Sequence, residues 1–315
     1  MKNKEPLILA VVVIFSLVVY YLVEPFAHHQ MHKHFESEGF AYKDLAEPTK
    51  TGHKEHGKVL LIGAAACTGC HSVNVENIPA SMDPVSAAAA YGVNPPDLSN
   101  AGIIYDAKFL TDLIKNPAHA LMVEHKFDAN KGQMHPMVPF YGAGGDIDQE
   151  IADIVAYLQS IAVSQEELTP TIAFEGACGR CHANHYAGWS QIGEKPMFKK
   201  KQDALVFDAK VLDYQDSLTK YMGALPPDLS IYIRSRGEHF IKTFMENPQN
   251  YLKGTAMPRV GVSAETAEKV IEYLEDSGDA KRHERESIAK NVMIYIVIFA
   301  IFALLWKKQV WKDLH

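Results

Sequence analysis

The chain has 315 residues, of which 47% are hydrophobic and 22% are charged. This length accommodates two domains of ordinary size, and the composition is that of a globular protein. The formal net charge of −7 at pH 7 argues against a nucleic-acid partner, because binding to phosphates requires a positively charged surface.

The first predicted element is an uncharged apolar segment, residues 7–23, which follows Lys2 and Lys4. A helix of this length reaches roughly 26 Å, close to the thickness of the hydrocarbon core of a membrane. The lysines predict a cytoplasmic N-terminus. A cleaved signal peptide is the alternative, but the segment is long for one and no small-x-small cleavage site follows it. The sequence therefore favours a retained anchor, with residues 1–45 forming this anchor and a juxtamembrane segment.

All four cysteines belong to two Cys-x-x-Cys-His motifs, formed by Cys67, Cys70 and His71 and by Cys178, Cys181 and His182. This pattern attaches haem c through thioether bonds, and the adjacent histidine can bind the iron. A zinc site would use paired cysteines but would not explain the histidine after each pair. Disulfides form in oxidising compartments, but a Cys-x-x-Cys bridge is strained. The motifs therefore predict two covalently attached haem c groups.

The region between the two ends contains an internal duplication. Residues 95–99 and 226–230 both read Pro-Pro-Asp-Leu-Ser, and residues 109–117 resemble residues 240–248 at the same offset of 131. The cysteine motifs are only 111 residues apart, so the second copy has about 20 additional residues before its Pro-Pro-Asp-Leu-Ser segment. Such a repeat predicts two domains, which we assign to residues 46–165 and 166–283.

Each copy is predicted to consist of helices, including a short one that carries the cysteine motif. A middle helix ends at each Asn-Pro pair, because proline is disfavoured inside a helix. Apolar residues at intervals of three and four predict terminal helices over residues 147–161 and 264–276, the latter with Ser263 as its N-cap. Strand signals are few. The expected fold is all-α, with two tandem class I-like cytochrome c domains between two transmembrane helices.

A second axial ligand is expected for each iron, and a methionine thioether is the usual partner of histidine in electron-transfer haems. In the second copy we favour Met257, which lies between the middle and terminal helices. Met222 and Met245 are alternatives, although the position of Met245 inside a helix is more typical of packing.

In the first copy the ligand is expected between residues 134 and 137. Met257 lies 16 residues before Tyr273, whereas Met137 and Met134 lie 20 and 23 residues before Tyr157. We therefore favour Met137 over Met134, with His135 as a further alternative.

Two second-sphere assignments follow from the chemistry of haem. The carbonyls of the Pro-Pro-Asp-Leu segments are candidate acceptors for the imidazole N–H groups of His71 and His182, a plain loop turn being the alternative. Arg234, Arg236 and Arg259 are candidate partners of the haem propionates, an exposed charged face being the alternative for each.

The last predicted element is a second apolar segment, residues 292–306, which spans a membrane if it is extended back through Ile288. Lys307 and Lys308 follow it and predict a cytoplasmic C-terminus. A buried core helix is the alternative, but the charged residues 281–286 before the segment suit a membrane span better. Residues 284–315 are thus the predicted C-terminal anchor. The haem domains are expected on the periplasmic side of a bacterial inner membrane.

The chain from Gly223 to its end, together with the second cysteine motif, resembles cytochrome c₁, the haem subunit of bc₁-type quinol–cytochrome c reductases. The segments that carry the resemblance are Gly223-Ala-Leu-Pro-Pro-Asp-Leu-Ser230, Arg236-Gly-Glu-His-Phe240, Met257-Pro258 and the charged segment before an anchor that ends Lys-Lys-Gln-Val-Trp311. The duplicated domain departs from the usual one-haem form and looks like the dihaem variants of some bacterial complexes.

This resemblance implies an electron relay that makes and breaks no bonds itself. His182 and Met257 would hold the haem that receives an electron from a Rieske iron–sulfur protein. The haem at His71 and Met137 would pass the electron to a soluble cytochrome c or a terminal oxidase. Cytochrome b and the Rieske subunit are the implied partners.

Two other functions remain as alternatives. The dihaem subunit of a cbb₃-type oxidase is also a membrane-anchored relay, although a C-terminal anchor after the second haem domain argues against it. A dihaem peroxidase needs one iron with an open coordination position, and the methionine segments argue against that.

Overall fold

The computed structural model describes residues 4–31, 37–127 and 132–312, with the side chains of residues 28–31 excepted. Lys2 and the ends of the two predicted anchor segments therefore lie outside the described residues. Contacts divide the chain into two compact units, Met1–Glu38 and Gly39–His315. The predicted boundary between residues 165 and 166 falls within the second unit.

The N-terminal unit is helical from Glu5 to Met31: α1 (Glu5–Val18), a π-helical turn (Val19–Val23) and α2 (Glu24–Met31). Its apolar side chains are exposed, including Leu9, Phe15 and Leu22. Residues Glu5–Ala27 are long and apolar enough to cross a membrane, as the sequence predicts.

In the second unit, residues 46–165 (the first repeat) contain these helices: α3 (Lys54–Val59), a π turn (Leu60–Ala64), 3₁₀ turns (Cys67–Gly69 and Asn74–Glu76), α4 (Pro84–Tyr91), α5 (Ala101–Ile104), α6 (Ala107–Lys115), α7 (Pro117–Ala120) and α8 (Ile147–Ile161). α6 ends directly before Asn116-Pro117, and α8 has the predicted bounds. The first cysteine motif lies in a 3₁₀ turn, so the predicted short helix is reduced there to a single tight turn.

Residues 166–283 (the second repeat) contain these elements: α9 (Pro170–Phe174), a π turn (Glu175–Gly179), a 3₁₀ turn (His185–Ala187), β1 (Trp189–Ser190), β2 (Gly193–Glu194), α10 (Lys201–Met222), α11 (Tyr232–Arg236), α12 (Glu238–Glu246), α13 (Pro248–Tyr251) and α14 (Ala264–Gly278). α12 ends directly before Asn247-Pro248. The Ser263 hydroxyl accepts a hydrogen bond from Thr266 N–H at 3.1 Å, which confirms the predicted cap.

Two features of the second repeat were not predicted. β1 and β2 form a two-stranded antiparallel hairpin. The additional residues of the second repeat form most of α10, whose Tyr214, Leu218 and Met222 pack with Ala88 of α4. The fold is nonetheless mostly helical, as expected. The last helix, α15 (Arg282–Lys312), is also long and apolar enough to span a membrane.

The two repeats share one hydrophobic core. A single cluster of buried side chains combines Tyr105 and Phe109 of the first repeat with Phe174, Val262 and Leu274 of the second. Continuous burial of this kind resists separation, because opening it would expose apolar surface to water. The shared core explains why the repeats form one compact unit.

Backbone contacts reinforce this joint. Tyr105 and Val262 form an antiparallel bridge, and Asp106 N–H donates to the Gly261 carbonyl at 2.9 Å. Gly261 has a φ of +74°, and a Cβ there would lie 2.1 Å from Cδ1 of Phe109. Only glycine fits, because it alone combines this backbone conformation with no side chain.

The helix that leads into the first cysteine motif is fixed by α8. A Cβ on Gly57 of α3 would lie 1.9 Å from the Asp153 carbonyl oxygen, so the two helices touch through their backbones. The buried Asp153 carboxylate accepts hydrogen bonds from His53 N–H at 2.7 Å, His56 Nδ1 at 2.6 Å and Gln149 Nε2 at 2.9 Å. Burial acts to raise the pKa of Asp153, but these hydrogen bonds outweigh it and lower the pKa below its usual value.

Candidate haem-binding sites

The first cysteine motif presents a half-buried, oriented imidazole. His71 N–H and Cys70 N–H both donate to the Cys67 carbonyl, at 2.9 and 3.2 Å. His71 Nδ1 donates to the Pro96 carbonyl at 2.8 Å. Burial lowers the pKa of His71, and the bond to Pro96 partly opposes this. The ring is therefore neutral with Nε2 free of its proton, which is the form that binds a metal.

The second motif repeats this geometry. His182 N–H and Cys181 N–H donate to the Cys178 carbonyl at 2.9 and 3.0 Å. His182 Nδ1 donates to the Pro227 carbonyl, again at 2.8 Å, and burial lowers the pKa of His182. The carbonyl acceptors predicted in the two Pro-Pro-Asp-Leu segments are thus present, and in both repeats the second proline supplies the carbonyl.

The aspartate of each Pro-Pro-Asp-Leu-Ser segment ties that segment to its motif. Asp97 accepts hydrogen bonds from the backbone and side chain of Asn74 at 3.1 Å. Asp228 accepts from His185 N–H at 3.0 Å. Because the aspartate is next to the proline that holds the histidine, these bonds fix the acceptor carbonyl and hence the plane of the imidazole.

The four cysteines are not paired with one another. Burial raises the pKa of Cys178 to about 12, so this thiol is uncharged. Among the described residues, no cluster of three or more His, Cys, Asp or Glu side chains has an arrangement that could hold a metal ion.

In the first repeat, the candidate ligands differ in exposure and bonding. Met134 is 61% exposed, whereas Met137 is half-buried. His135 lies between them with both ring nitrogens engaged: Nδ1 accepts from Met137 N–H at 3.1 Å, and Nε2 lies 3.1 Å from the Tyr221 hydroxyl. An imidazole bound in this way has no free nitrogen for iron. Met137 stays the predicted ligand of the first haem.

In the second repeat, Met257 is half-buried in the segment between α13 and α14. Met245 is 2% exposed and belongs to the shared core, which fits the packing role considered for it. Met222 is also buried, in the cluster that joins α10 to α4. Met257 therefore remains the favoured ligand.

The three arginines considered for the propionates differ in their surroundings. Arg234 and Arg236 are exposed. Arg259 is 1% exposed, and it binds the Ala120 carbonyl through Nε and the Asp44 carboxylate through Nη1.

A fourth arginine, Arg180, occupies one of the two variable positions of the second Cys-x-x-Cys-His motif. Any residue is allowed there, so the sequence does not mark it as functional. Its Nε is buried and has no partner among the described residues. A buried guanidinium N–H of this kind suits an anion. Together with the two neutral imidazoles, it makes these residues fit haem c, which carries two carboxylates.

Comparisons with known proteins give three matches. Residues 55–162 match the cytochrome c family. The chain is 22% identical to cytochrome c1 of Allochromatium vinosum, in an alignment that covers 45% of this chain and 82% of that protein. A solved structure described as a hyperthermophilic respiratory complex III matches with 22% identity and a TM-score of 0.34, covering 50% of this chain and 79% of that one.

The family match includes Cys67, Cys70 and His71, whose geometry is described above. Residues 55–162 are therefore a cytochrome c domain, which implies covalently bound haem c, in a chain that is a weak relative of cytochrome c1.

Proposed function

We propose that this protein is a membrane-anchored dihaem c-type cytochrome, which relays single electrons within a quinol–cytochrome c reductase. In this proposal the donor is a Rieske iron–sulfur protein and the acceptor is a soluble cytochrome c or a terminal oxidase. The cytochrome c domain and the similarity to cytochrome c1 support electron transfer of this kind.

One observation carries the proposal of two haems. The hydrogen bond from histidine Nδ1 to a proline carbonyl has the same length, 2.8 Å, in both repeats. A cysteine motif whose histidine had no metal to bind would not require this fixed orientation. The second repeat, residues 166–283, is therefore assigned a haem of its own, held at Cys178, Cys181 and His182.

The residues of the chain then have separate tasks. When bound, haem c supplies an iron that changes its charge by one. His71 and His182 would hold that iron through Nε2, and the proline carbonyls keep the rings in one orientation. Met137 and Met257 would each supply a thioether sulfur, a ligand that favours the ferrous state and raises the potential. With a histidine and a methionine holding each iron, the chain would act as an electron relay, and no bond-making step is assigned to it.

The apolar helices Glu5–Ala27 and Arg282–Lys312 support attachment to a membrane. With both termini in the cytoplasm, the residues from Gly39 to the end of α14 would lie on the periplasmic side, where they would meet cytochrome b and the Rieske subunit. A reporter enzyme that is active only in the periplasm should therefore be active when it is fused at residue 40 or at residue 283. An inactive reporter at either residue would contradict this orientation.

Haem stoichiometry is the direct test. We expect two haems per chain in the purified full-length protein, measured by the pyridine haemochrome assay. The variant with Cys67→Ser and Cys70→Ser should retain one, and so should the matched variant with Cys178→Ser and Cys181→Ser. A wild-type value of one, unaffected by the second pair of substitutions, would refute the second haem.

Partners and activity separate this proposal from the alternatives. Cytochrome b and a Rieske protein should copurify with the chain from its native membrane. Copurified oxidase subunits would support the cbb₃ alternative instead. Turnover of hydrogen peroxide by the reduced protein would indicate a peroxidase, because it requires an iron with an open position.

A further inference from the structure

The methionine segment of the second repeat is held on both sides of Met257 by the first repeat. Lys126, which follows α7, donates its ammonium hydrogen to the Ala256 carbonyl at 3.1 Å, and Ala256 directly precedes Met257. On the other side of the methionine, Arg259 N–H donates to the Leu121 carbonyl at 3.0 Å. Residues of the first repeat therefore fix the backbone around the proposed ligand of the second haem.

The methionine segment of the first repeat is held in turn by the second repeat. His135 Nδ1 accepts from Met137 N–H at 3.1 Å, so the proton of the neutral ring is on Nε2. Nε2 then donates to the hydroxyl oxygen of Tyr221, in the last turn of α10, at 3.1 Å. Tyr221 is itself packed on the backbone of the first repeat, because a Cβ on Gly92 would lie 2.5 Å from its side chain. Tyr221 thus fixes the imidazole that binds the backbone of Met137.

Both sets of contacts meet at the C-terminal end of α10. Lys126 also donates to the carbonyl of Met222, the residue after Tyr221, at 2.5 Å. The ring of Phe127, next to Lys126, lies 5.6 Å from the ring of Tyr221 and 4.8 Å from the ring of His135, measured between centroids. The groups that hold the two methionine segments therefore form one continuous set of contacts between the repeats.

Such contacts affect how well a methionine can bind iron. Met137 and Met257 both lie outside helices and strands, in segments of the kind that is more mobile than regular structure. Ordering a backbone and a side chain for ligation costs conformational entropy. A hydrogen bond that fixes the backbone beside the methionine beforehand lowers this cost, and its loss should allow the sulfur to leave the iron more often.

We propose that the two repeats position each other's methionine ligands: Lys126 of the first repeat positions Met257, and Tyr221 of the second repeat positions Met137. This rests on the proposed function, because it requires an iron held by histidine and methionine in each repeat. Lys126 and Tyr221 are positioning residues, since each acts through the backbone beside a ligand. Each repeat thereby depends on the other to keep its own haem in the form that relays electrons.

Competition with imidazole measures how firmly each methionine is held. Imidazole binds a ferric haem after the methionine has left, so its apparent affinity rises with the fraction of iron that is open. Its binding also removes the sulfur-to-iron charge-transfer band. In the full-length protein with Met137→Leu the remaining band belongs to the second haem, and with Met257→Leu it belongs to the first. Each titration therefore reports on one methionine.

The expected effects are crosswise. Lys126→Met should strengthen imidazole binding at the second haem about tenfold, the effect of about one lost hydrogen bond, and at the first haem by less than about threefold. Tyr221→Phe should give the opposite pattern. Lys108→Met is the matched control, because the Lys108 ammonium bonds to the Ala41 carbonyl at 3.3 Å and the Glu47 carboxylate at 2.7 Å, away from both methionine segments in sequence. It should change either affinity by less than about threefold.

A merely structural role of these residues predicts a different result. General loosening would strengthen imidazole binding at both haems in both variants, and that result would overturn the proposal, as would unchanged affinities. An effect of the expected pattern in one variant alone would support that pairing and overturn the other. If Lys126→Met does not retain its haems, Tyr221→Phe decides, because it removes one hydroxyl group and leaves the ring in place.

Failure of the proposed function gives a distinct outcome. One haem per chain, or a charge-transfer band that survives when Met137→Leu and Met257→Leu are combined, would refute the haem or ligand assignments and this inference with them. Two haems with both bands assigned, but without the crosswise effects, would overturn the positioning by Lys126 and Tyr221 alone.

Discussion

Replacement of Arg259 by methionine should destabilise the protein, because this buried side chain joins three parts of the chain. Its Nε donates to the Ala120 carbonyl at 2.8 Å, and its Nη1 binds both carboxylate oxygens of Asp44 at 2.7 and 2.8 Å. Its guanidinium carbon lies 5.5 Å from the centre of the Tyr42 ring. Arg259 is also two residues after Met257, so these contacts anchor the segment with the proposed iron ligand.

The magnitude follows from the groups that lose a partner. The Asp44 side chain is 46% exposed, so water replaces the arginine, and the loss of this pair costs about 1 to 2 kcal/mol. The Ala120 carbonyl loses its buried donor, which costs about 1 to 2 kcal/mol more. The cation–π contact adds about 0.5 kcal/mol. The unpartnered Nη2 of Arg259 is unfavourable, so its removal recovers part of the lost stability. The net cost of Arg259→Met should be about 3 kcal/mol.

The assay is thermal unfolding of the full-length protein in detergent, followed by circular dichroism and haem absorbance. A loss of about 3 kcal/mol lowers the Tm of a unit of this size by about 6 to 12 °C. The sulfur-to-iron charge-transfer band of the second haem should weaken as well, because the Met257 segment loses its anchor. Lys220→Met, at an exposed ion pair with Asp216, should lower the Tm by no more than about 2 °C.

A double substitution tests the reasoning itself. Asp44→Asn alone should cost about 1 to 2 kcal/mol, but it should add little to Arg259→Met, since its partner is already gone. Strictly additive losses would refute the Asp44–Arg259 pairing. A Tm for Arg259→Met within 2 °C of the wild type would refute the estimate of its contribution.

Three other predictions concern the first haem, acid stability and the joint between the repeats. Met137→Leu should abolish the sulfur–iron band of the first haem and Met134→Leu should leave it intact; the reverse result would assign Met134 as the ligand. The pKa of Asp153 is lowered from 3.8, so its contribution to stability is present above about pH 4 and lost as the pH falls through the lowered value. Asp153→Asn should therefore flatten the dependence of Tm on pH below 4, and an unchanged slope would contradict the role given to its hydrogen bonds. Gly261→Ala should cost more than about 2 kcal/mol in urea unfolding, against about 1 kcal/mol for Gly254→Ala, which has a positive φ but open space around it; equal losses would mean that the close contact is not rigid.

Much of the fold and of the candidate site is local, and the sequence alone determines it. The attachment motifs bring each histidine to its cysteines within five residues. The ends of α6 and α12 follow from Asn-Pro pairs, the start of α14 follows from Ser263, and the two apolar segments are recognisable from their composition. Each of these features depends on interactions within a few residues, which a sequence pattern records directly.

The proline carbonyls are an intermediate case. Repetition of the Pro-Pro-Asp-Leu-Ser segment made them candidates, but a plain turn was equally compatible with the sequence. The hydrogen bonds that decide between these readings join His71 to Pro96 and His182 to Pro227, residues 25 and 45 positions apart. A bond over that distance depends on how the intervening chain folds.

Only the tertiary structure decided how the repeats meet. The partner of Arg259 is Asp44, 215 positions away, and no pattern near either residue indicates the other. Tyr214 of α10 donates to the Arg180 carbonyl and accepts from Asn94 N–H, and these two bonds join the repeats. Such features arise from desolvation and packing among segments remote in sequence, where the burial of a group depends on every segment that covers it. The sequence thus determined which groups this protein carries to its haem sites, and the packing of the two repeats decided the environment in which those groups act.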